Sequence, residues 1–223
     1  FTQVSAGDFH TCAIQSDGSL ACWGHDYYGQ STPPAGTFTQ VSSGADHTCG
    51  LKSDGTLACW GDNSSGQATP PAGTFSQVSG GGDHTCAIHS DGSLACWGEN
   101  TDGQSTPPAG TFTLVSSGEY HTCGIQSDGT LACWGKNDDG QSTPPAGTFT
   151  QVSAGDYHTC GIQSDGTVTC WGYNNYGQAT PSAGTFTQLS AGAWHTCGLQ
   201  SDGTLACWGR NADGQSTPPT GMF

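Results

Sequence analysis

Basic residues are almost absent from this sequence. Of its 223 residues only 3 are Lys or Arg, against 18 Asp or Glu, and the formal net charge is −15. A chain with so few cations cannot replace the counterions of a phosphate backbone, and an anionic membrane surface would repel it. We therefore exclude nucleic acid as a partner and expect no membrane insertion.

Apolar residues are also scarce, at 33% of the chain, and no apolar pattern with a period of 3.6 residues runs through it. This excludes an ordinary helix-rich globule and a helical solenoid. Low hydrophobicity combined with high net charge is typical of disordered chains. The 12 Cys, however, recur at regular positions, so we expect order to arise from repetition.

A unit of 37 residues is present six times without insertion or deletion. Each unit begins with Phe, and Phe223 stands where a seventh would begin. We predict a single domain over residues 1–223, with repeats at 1–37, 38–74, 75–111, 112–148, 149–185 and 186–222. The whole number of repeats favours a closed ring over an open β-solenoid or a slice of a longer array.

Each unit contains the signal of a β-hairpin. In the first unit the Ser-Asp-Gly segment at 16–18 separates two strand-like segments, and its Gly suits the left-handed position of a three-residue loop. Counting outward from this loop places Ile14 opposite Leu20, and Cys12 opposite Cys22. The cysteines then form a non-hydrogen-bonded pair, with Cα atoms about 4.5 Å apart, which a disulfide can bridge.

The same spacing predicts six local disulfides. The alternatives are buried free thiols and zinc ligands, and zinc sites normally contain closer cysteine pairs. Six disulfides imply an oxidising compartment, so we expect a secreted, extracellular protein. The predicted pairs are Cys12–Cys22, Cys49–Cys59, Cys86–Cys96, Cys123–Cys133, Cys160–Cys170 and Cys197–Cys207.

A strand at 1–5 and an extended segment at 29–32 complete three or four short strands in the first unit. Trp23 recurs once per unit on the hairpin face opposite the cysteines, where we expect it to pack between units. The units read as blades, and the predicted fold is all-β: a six-bladed β-propeller of 37-residue repeats, each with a hairpin disulfide.

The run HTCAIQSDGSLACWGHDYYGQ, repeated six times over the whole chain, resembles the regulator-of-chromosome-condensation repeat. Its cysteine-bridged form is similar to the secreted bacterial branch of that family. The resemblance implies a propeller scaffold that serves as a platform for protein interaction or ligand binding. Family members include an inhibitor of secreted β-lactamases and a nuclear nucleotide-exchange factor.

The units differ from one another mainly in two stretches, at 8–9 and 25–28 in the first unit and at the equivalent positions in the others. The hairpin register brings both to the end away from the Ser-Asp-Gly turn, so one face of the ring is predicted to be variable. Aromatic and polar side chains there suit binding of a carbohydrate or a protein partner; unconstrained drift of the loops is the alternative. The candidate ligand-binding residues are Phe9, Tyr27, Tyr28, Tyr120, Tyr157, Tyr173, Tyr176 and Trp194.

Nothing in the sequence indicates catalysis. It contains no G-x-S-x-G motif, and every candidate acid or base is either repeated in all units or part of a variable loop. We therefore predict no enzyme, no catalytic residue and no metal centre. A weak alternative is Ca²⁺ held at a central opening by Asp8, Asp46, Asp83, Glu119 and Asp156, although no EF-hand loop is present.

A His recurs in every unit, at His10, His47, His84, His121, His158 and His195. We expect each to cap its own loop through a backbone hydrogen bond rather than to join a metal-binding girdle.

A second function class is a structural subunit of an extracellular fibre, sheath or surface layer. Rings would stack through the nearly identical Ser-Asp-Gly turns into a homo-oligomer or filament. One Asp per turn would oppose the approach of an equally acidic ring.

Overall fold

The computed structural model describes residues 1–221, so Phe223 lies outside the described residues. Eighteen β-strands account for the regular structure, and this part of the chain has no helix that could span a membrane. The strands are β1 (Gln3–Ala6), β2 (His10–Ile14), β3 (Leu20–Gly24), β4 (Phe38–Ser43), β5 (His47–Lys52), β6 (Leu57–Gly61), β7 (Phe75–Gly80), β8 (His84–His89), β9 (Leu94–Gly98), β10 (Phe112–Ser117), β11 (His121–Gln126), β12 (Leu131–Gly135), β13 (Phe149–Ala154), β14 (His158–Gln163), β15 (Val168–Gly172), β16 (Phe186–Ala191), β17 (His195–Gln200) and β18 (Leu205–Gly209).

Every repeat forms one antiparallel three-stranded sheet whose strand order follows the chain. The sheets are numbered here as blades 1 to 6 in chain order. The first strands of consecutive blades, such as β1 and β4, contact one another, and their ends surround a central opening. The fold is an all-β six-bladed propeller, as predicted.

The hairpin register is confirmed. The N–H of Gln15 donates to the carbonyl of Ser19 at 2.8 Å, and Gly18 has a φ of +83°, in the left-handed region. Cys12 pairs with Cys22 in the ladder, with Cα atoms 4.1 Å apart. All six predicted disulfides are present, one in each blade.

The segment at 29–32 is a turn, so each blade has three strands and not four. The N–H of Thr32 donates to the carbonyl of Gly29 at 3.0 Å. The carboxylate of Asp26 accepts the N–H of Ser31 at 2.9 Å and the hydroxyl of Thr32 at 2.7 Å. These local bonds replace the ladder partner that a fourth strand would need.

The blade-to-blade interface repeats five times. Phe38 of blade 2 packs on Cys12 and Ile14 of blade 1, together with Trp60. The indole N–H of Trp60 donates to the carbonyl of Gln30 in blade 1 at 2.9 Å. The predicted role of the recurring tryptophan is confirmed at Trp60, Trp97, Trp134, Trp171 and Trp208, each of which bonds to the preceding blade.

The ring is not closed, contrary to expectation. In the described residues, the strands of blade 6 make no contact with those of blade 1 comparable to the contacts between consecutive blades. Phe1 is 77% exposed, whereas its equivalent Phe38 is 3% exposed. Trp23 is 51% exposed, so the packing role predicted for it is wrong: no blade covers its face.

The recurring histidines also differ from expectation. The backbone carbonyl of His10 accepts the N–H of Gly7 at 2.9 Å and so closes its own loop. The imidazole, however, points into the next blade, where its Nε2 lies 2.6 Å from the hydroxyl of Thr48. Five such bonds connect the six blades.

Candidate functional site

The two variable stretches meet at one end of the propeller, as the register predicts. The N–H of His25 donates to the carbonyl of Phe9 at 2.8 Å, and Asp62 bonds to Asp46 in the same way in blade 2. Equivalent bonds join both stretches in all six blades. We call this end the variable face.

Five of the eight candidate aromatic residues form a continuous group on blades 4 to 6, named here the aromatic platform. Tyr157 stacks on Trp194, with ring centroids 4.9 Å apart and an interplanar angle of 25°. Tyr120 lies 5.9 Å from Tyr157 on the other side. Tyr173 and Tyr176 each lie 5.6 Å from Trp194, in edge-on orientations. Rings from three blades therefore present one surface.

The other three candidates lie apart, on blade 1. Tyr27 and Tyr28 are 4.8 Å apart and edge-on, His25 is parallel to Tyr27 at 6.3 Å, and Phe9 is 6.2 Å from His25. We call these four residues the blade 1 cluster. The open side of the ring, between blades 6 and 1, separates it from the aromatic platform.

Carboxyl groups surround the mouth of the central opening, a cavity of about 590 Å³ lined by residues that include Asp8, Glu119 and Asp156. Burial, followed by the nearby charge of Asp156, raises the pKa of Glu119 to about 7. Burial and then the charge of Asp8 raise the pKa of Asp156 to about 6. The opening therefore concentrates negative charge in a partly desolvated place.

The carboxylates considered as alternative calcium ligands are not assembled into a metal site. Over residues 1–221, no group of three or more His, Cys, Asp or Glu side chains is arranged to hold an ion. Asp46 instead accepts the amide N–H of Gln30 at 2.8 Å. Five of the six recurring histidines each bond across a different blade interface, and the histidines do not form a girdle.

Two of the three basic residues lie on the variable face. Lys136 places its Nζ 5.1 Å from the centroid of the Tyr120 ring and 3.6 Å from a carboxylate oxygen of Asp138. Arg210 pairs with Asp213 at 3.3 Å. The ammonium group of Lys136 thus lies over Tyr120, the ring at the blade 4 end of the aromatic platform.

Sequence reasoning missed the residue that holds the variable loops. Gln30 is fully buried; its Oε1 accepts the N–H of Tyr28 at 2.9 Å, and its Nε2 donates to Asp46 of the next blade. The signal was present, because Gly-Gln follows the second variable stretch in every unit. This glutamine provides an unvarying base on which the loop side chains can change.

These observations define an all-β propeller with one face that is nearly identical in all six repeats and one variable, aromatic-rich face. The chain belongs to the regulator of chromosome condensation (RCC1) repeat family. The family's repeat matches residues 1–30, 38–67, 75–104, 112–141, 149–178 and 186–215. No curated protein shows significant similarity to the chain.

Solved structures with the same fold include receptor ectodomains. The CRINKLY WD40 ectodomain of the receptor kinase ACR4 from Arabidopsis thaliana is 29% identical, with a TM-score of 0.79 over 94% of this chain and 79% of that one. The ectodomain of receptor kinase CR4 from Physcomitrella patens is also 29% identical, with a TM-score of 0.79 over 92% of this chain and 60% of that one. Prp20p from Saccharomyces cerevisiae has a TM-score of 0.81 at 16% identity, over 92% of this chain and 71% of that one, and shares the fold alone.

Six disulfides together with the ectodomain neighbours indicate an extracellular protein.

Proposed function

We propose that this chain is a secreted, non-enzymatic binding scaffold that recognises a protein partner or a carbohydrate through its variable face. The observation that carries the proposal is the aromatic platform. Tyr120, Tyr157 and Trp194 come from three different blades, yet their rings form one surface, and each directly follows a residue that lines the central opening. Rings with polar edges suit recognition, because they supply large contact areas and hydrogen-bonding groups together.

Rigid support suits a binding surface. The platform stands on loops whose backbones are fixed by buried glutamines, and preorganised side chains lose little entropy on binding. The receptor ectodomains are similar in sequence as well as in fold, which supports an extracellular interaction role.

The proposal is tested with the Trp194→Ala variant, which removes the ring that contacts Tyr157, Tyr173 and Tyr176. Ligands of the native chain are first identified on a glycan array or in a panel of purified extracellular proteins. We expect the Trp194→Ala variant to bind these ligands with at least tenfold lower affinity. Gln15→Ala, beside the Ser-Asp-Gly turn of the opposite face, is the matched control and should bind normally. Tyr28→Ala reports separately on the blade 1 cluster.

Equal melting temperatures for the variants and the native chain would show that binding and not folding has changed. Ligand binding that survives both Trp194→Ala and Tyr28→Ala would rule out the variable face as the site.

The alternative, a filament of stacked rings, receives less support. At the turn of blade 1, the carboxylate of Asp17 accepts the N–H and the hydroxyl of Ser19 at 2.9 and 2.7 Å. These bonds lower the pKa of Asp17, and every other blade has an equivalent Asp with a lowered pKa. The opposite face therefore keeps six negative charges at neutral pH, which repel an identical ring.

A further inference from the structure

We infer that the aromatic platform binds the basic side chain, Arg or Lys, of an exposed segment of a protein partner. This inference rests on the proposed use of the variable face and names the chemistry of its ligand. The supporting observations are the geometry of the rings, an internal cation that already uses one of them, and the charge around the opening.

The ring geometry comes first. Tyr157 and Trp194 are nearly parallel, and Tyr173 and Tyr176 approach Trp194 edge-on. Trp and Tyr ring faces attract cations, because the π-electrons make each face negative. A flat guanidinium can stack on the outer face of such a ring and still direct its N–H groups towards acceptors at the side.

Lys136 shows that a cation is stable in this environment. Its Nζ lies over the Tyr120 ring, within the distance at which cation–π attraction operates. Lys136 belongs to the loop after β12 in blade 4, at one end of the platform. The rings of Tyr157, Tyr173 and Trp194 have no such cation in the described residues.

The carboxyl groups supply the complementary charge. Glu119 and Asp156 directly precede Tyr120 and Tyr157 in the chain and line the opening beside the platform. Neither has a Lys or Arg partner among residues 1–221, where the ion pairs are Lys136–Asp138 and Arg210–Asp213. An incoming guanidinium or ammonium would pair with the charged form of both groups and so offset the burial and, after it, the neighbouring carboxylate charge that raise their pKa values.

A basic partner also fits better than a neutral glycan. A sugar could stack on the rings, but it would leave the unpaired carboxyl groups uncompensated. The net charge of −15 adds long-range attraction for a basic segment and speeds its encounter with the face.

The test uses a labelled peptide of sequence Gly-Ser-Arg-Gly-Arg-Ser-Gly and its counterpart with citrulline in place of both arginines. Citrulline keeps the shape of arginine and removes its charge. By fluorescence polarisation with the intact chain, we expect the arginine peptide to bind at least tenfold more tightly. Trp194→Ala and the double variant Glu119→Gln/Asp156→Asn should each weaken its binding by about tenfold or more.

The control is Asp54→Asn/Asp91→Asn, which replaces the same number of carboxyl groups on the opposite face. It should leave arginine-peptide binding within about twofold of native. Equal binding of the two peptides, or an equal loss in the control and the Glu119 double variant, would overturn the inference, since the attraction would then be unspecific.

The inference and the proposed function can fail separately. A neutral glycan that binds the native chain and is lost in Trp194→Ala, while the arginine peptide does not bind, would preserve the variable face as the site and overturn the basic ligand. Absence of any ligand that depends on Trp194 or Tyr28 would overturn both.

Discussion

Four of the recurring histidines are held in the neutral form by their surroundings. Burial lowers the pKa of each imidazole, and like charges from neighbouring histidines add to the effect in all four. The residues and their pKa values are His47 at about 4, His84 at about 3, His121 at about 3 and His158 at about 4. Because these histidines lie between blades, the charge state of their imidazoles affects the stability of the fold.

We predict that the chain loses stability as the pH falls from about 6.5 to 4.5. Unfolding returns each imidazole to a pKa of about 6.5, so in this range the unfolded state takes up protons that the folded state refuses. Glu119 and Asp156 act in the opposite direction, because their raised pKa values lead the folded state to bind protons first. Asp8 and Asp83 also have raised pKa values, and His10 and His195 also have lowered ones. Six imidazoles therefore outnumber four carboxyls, and each net proton contributes about 1.4 kcal/mol per pH unit.

The measurement is the free energy of unfolding, by denaturant titration at several pH values. In His121→Gln the slope of the unfolding free energy against pH should decrease by about 1.4 kcal/mol per pH unit, which is the contribution of one proton. A chain that becomes more stable on acidification would show that the carboxyl groups dominate and would contradict this prediction.

At the scale of the elements, a blade is specified by residues that lie close together in the chain. The interface between blades is specified by pairs of residues from neighbouring blades. The hairpin depends on a turn, a register and a disulfide, all within a few residues of one another. The interface depends on residues 16 to 38 positions apart, such as His121 and Thr159, whose Nε2 and Oγ1 atoms are 2.7 Å apart.

We predict that Thr159→Val destabilises the fold by about 1–3 kcal/mol. Valine keeps the shape of threonine but leaves the buried Nε2 of His121 without a partner, and an unsatisfied buried polar group has this cost. The hydroxyl of Thr159 also donates to the carbonyl of Gln141 at 3.2 Å, and this bond would be lost as well. Chemical denaturation of both proteins measures the difference.

Thr11→Val is the matched control. Thr11 occupies the same position in blade 1, where no preceding blade supplies a histidine, and it is only half-buried. We expect its free energy of unfolding to change by less than about 0.5 kcal/mol, the usual range for surface sites. A large effect at Thr11 would indicate that another chain or blade covers it in solution.

At the scale of the whole molecule, six similar units give five interfaces and two uncovered faces. The face of blade 1 that bears Phe1 and Trp23 is exposed, and the outward face of blade 6 is less buried than those of blades 2 to 5. The two faces are chemically complementary, because every internal interface joins one of each kind.

We predict that two equivalent tryptophans differ greatly in their contribution to stability. Trp134 is 9% exposed and donates to the carbonyl of Gln104 at 2.9 Å, so Trp134→Ala should cost about 3–5 kcal/mol, as for other buried aromatic residues. Trp23→Ala should cost less than about 1 kcal/mol, since only part of its ring is covered. Similar losses of stability in the two variants would show that the ring closes in solution and has no open side between blades 6 and 1.

The sequence by itself determined the blade. Turn chemistry at 16–18, the alternation of side chains and the spacing of Cys12 and Cys22 act over short distances, so the period, hairpin register and disulfides could be predicted from residue types alone. It also located the variable face, because the register brings two divergent stretches to one end of each hairpin. The turn at 29–32 was missed, since the side chain of Asp26 competes with strand pairing in a way that β-propensity does not report.

Only the tertiary structure decided what happens between blades. The contacts between aromatic residues of the variable face depend on the position of each blade beside the next. Tyr157 and Trp194 therefore stack on one another, whereas Phe9 and Tyr28 lie in the separate blade 1 cluster. The same applies to the histidine bonds and to the open side of the ring. A repeat sequence specifies the same structural unit many times. Whether six units close into a ring depends on the angle between neighbouring blades. Side-chain packing at each interface sets that angle, and the number of repeats does not reveal it.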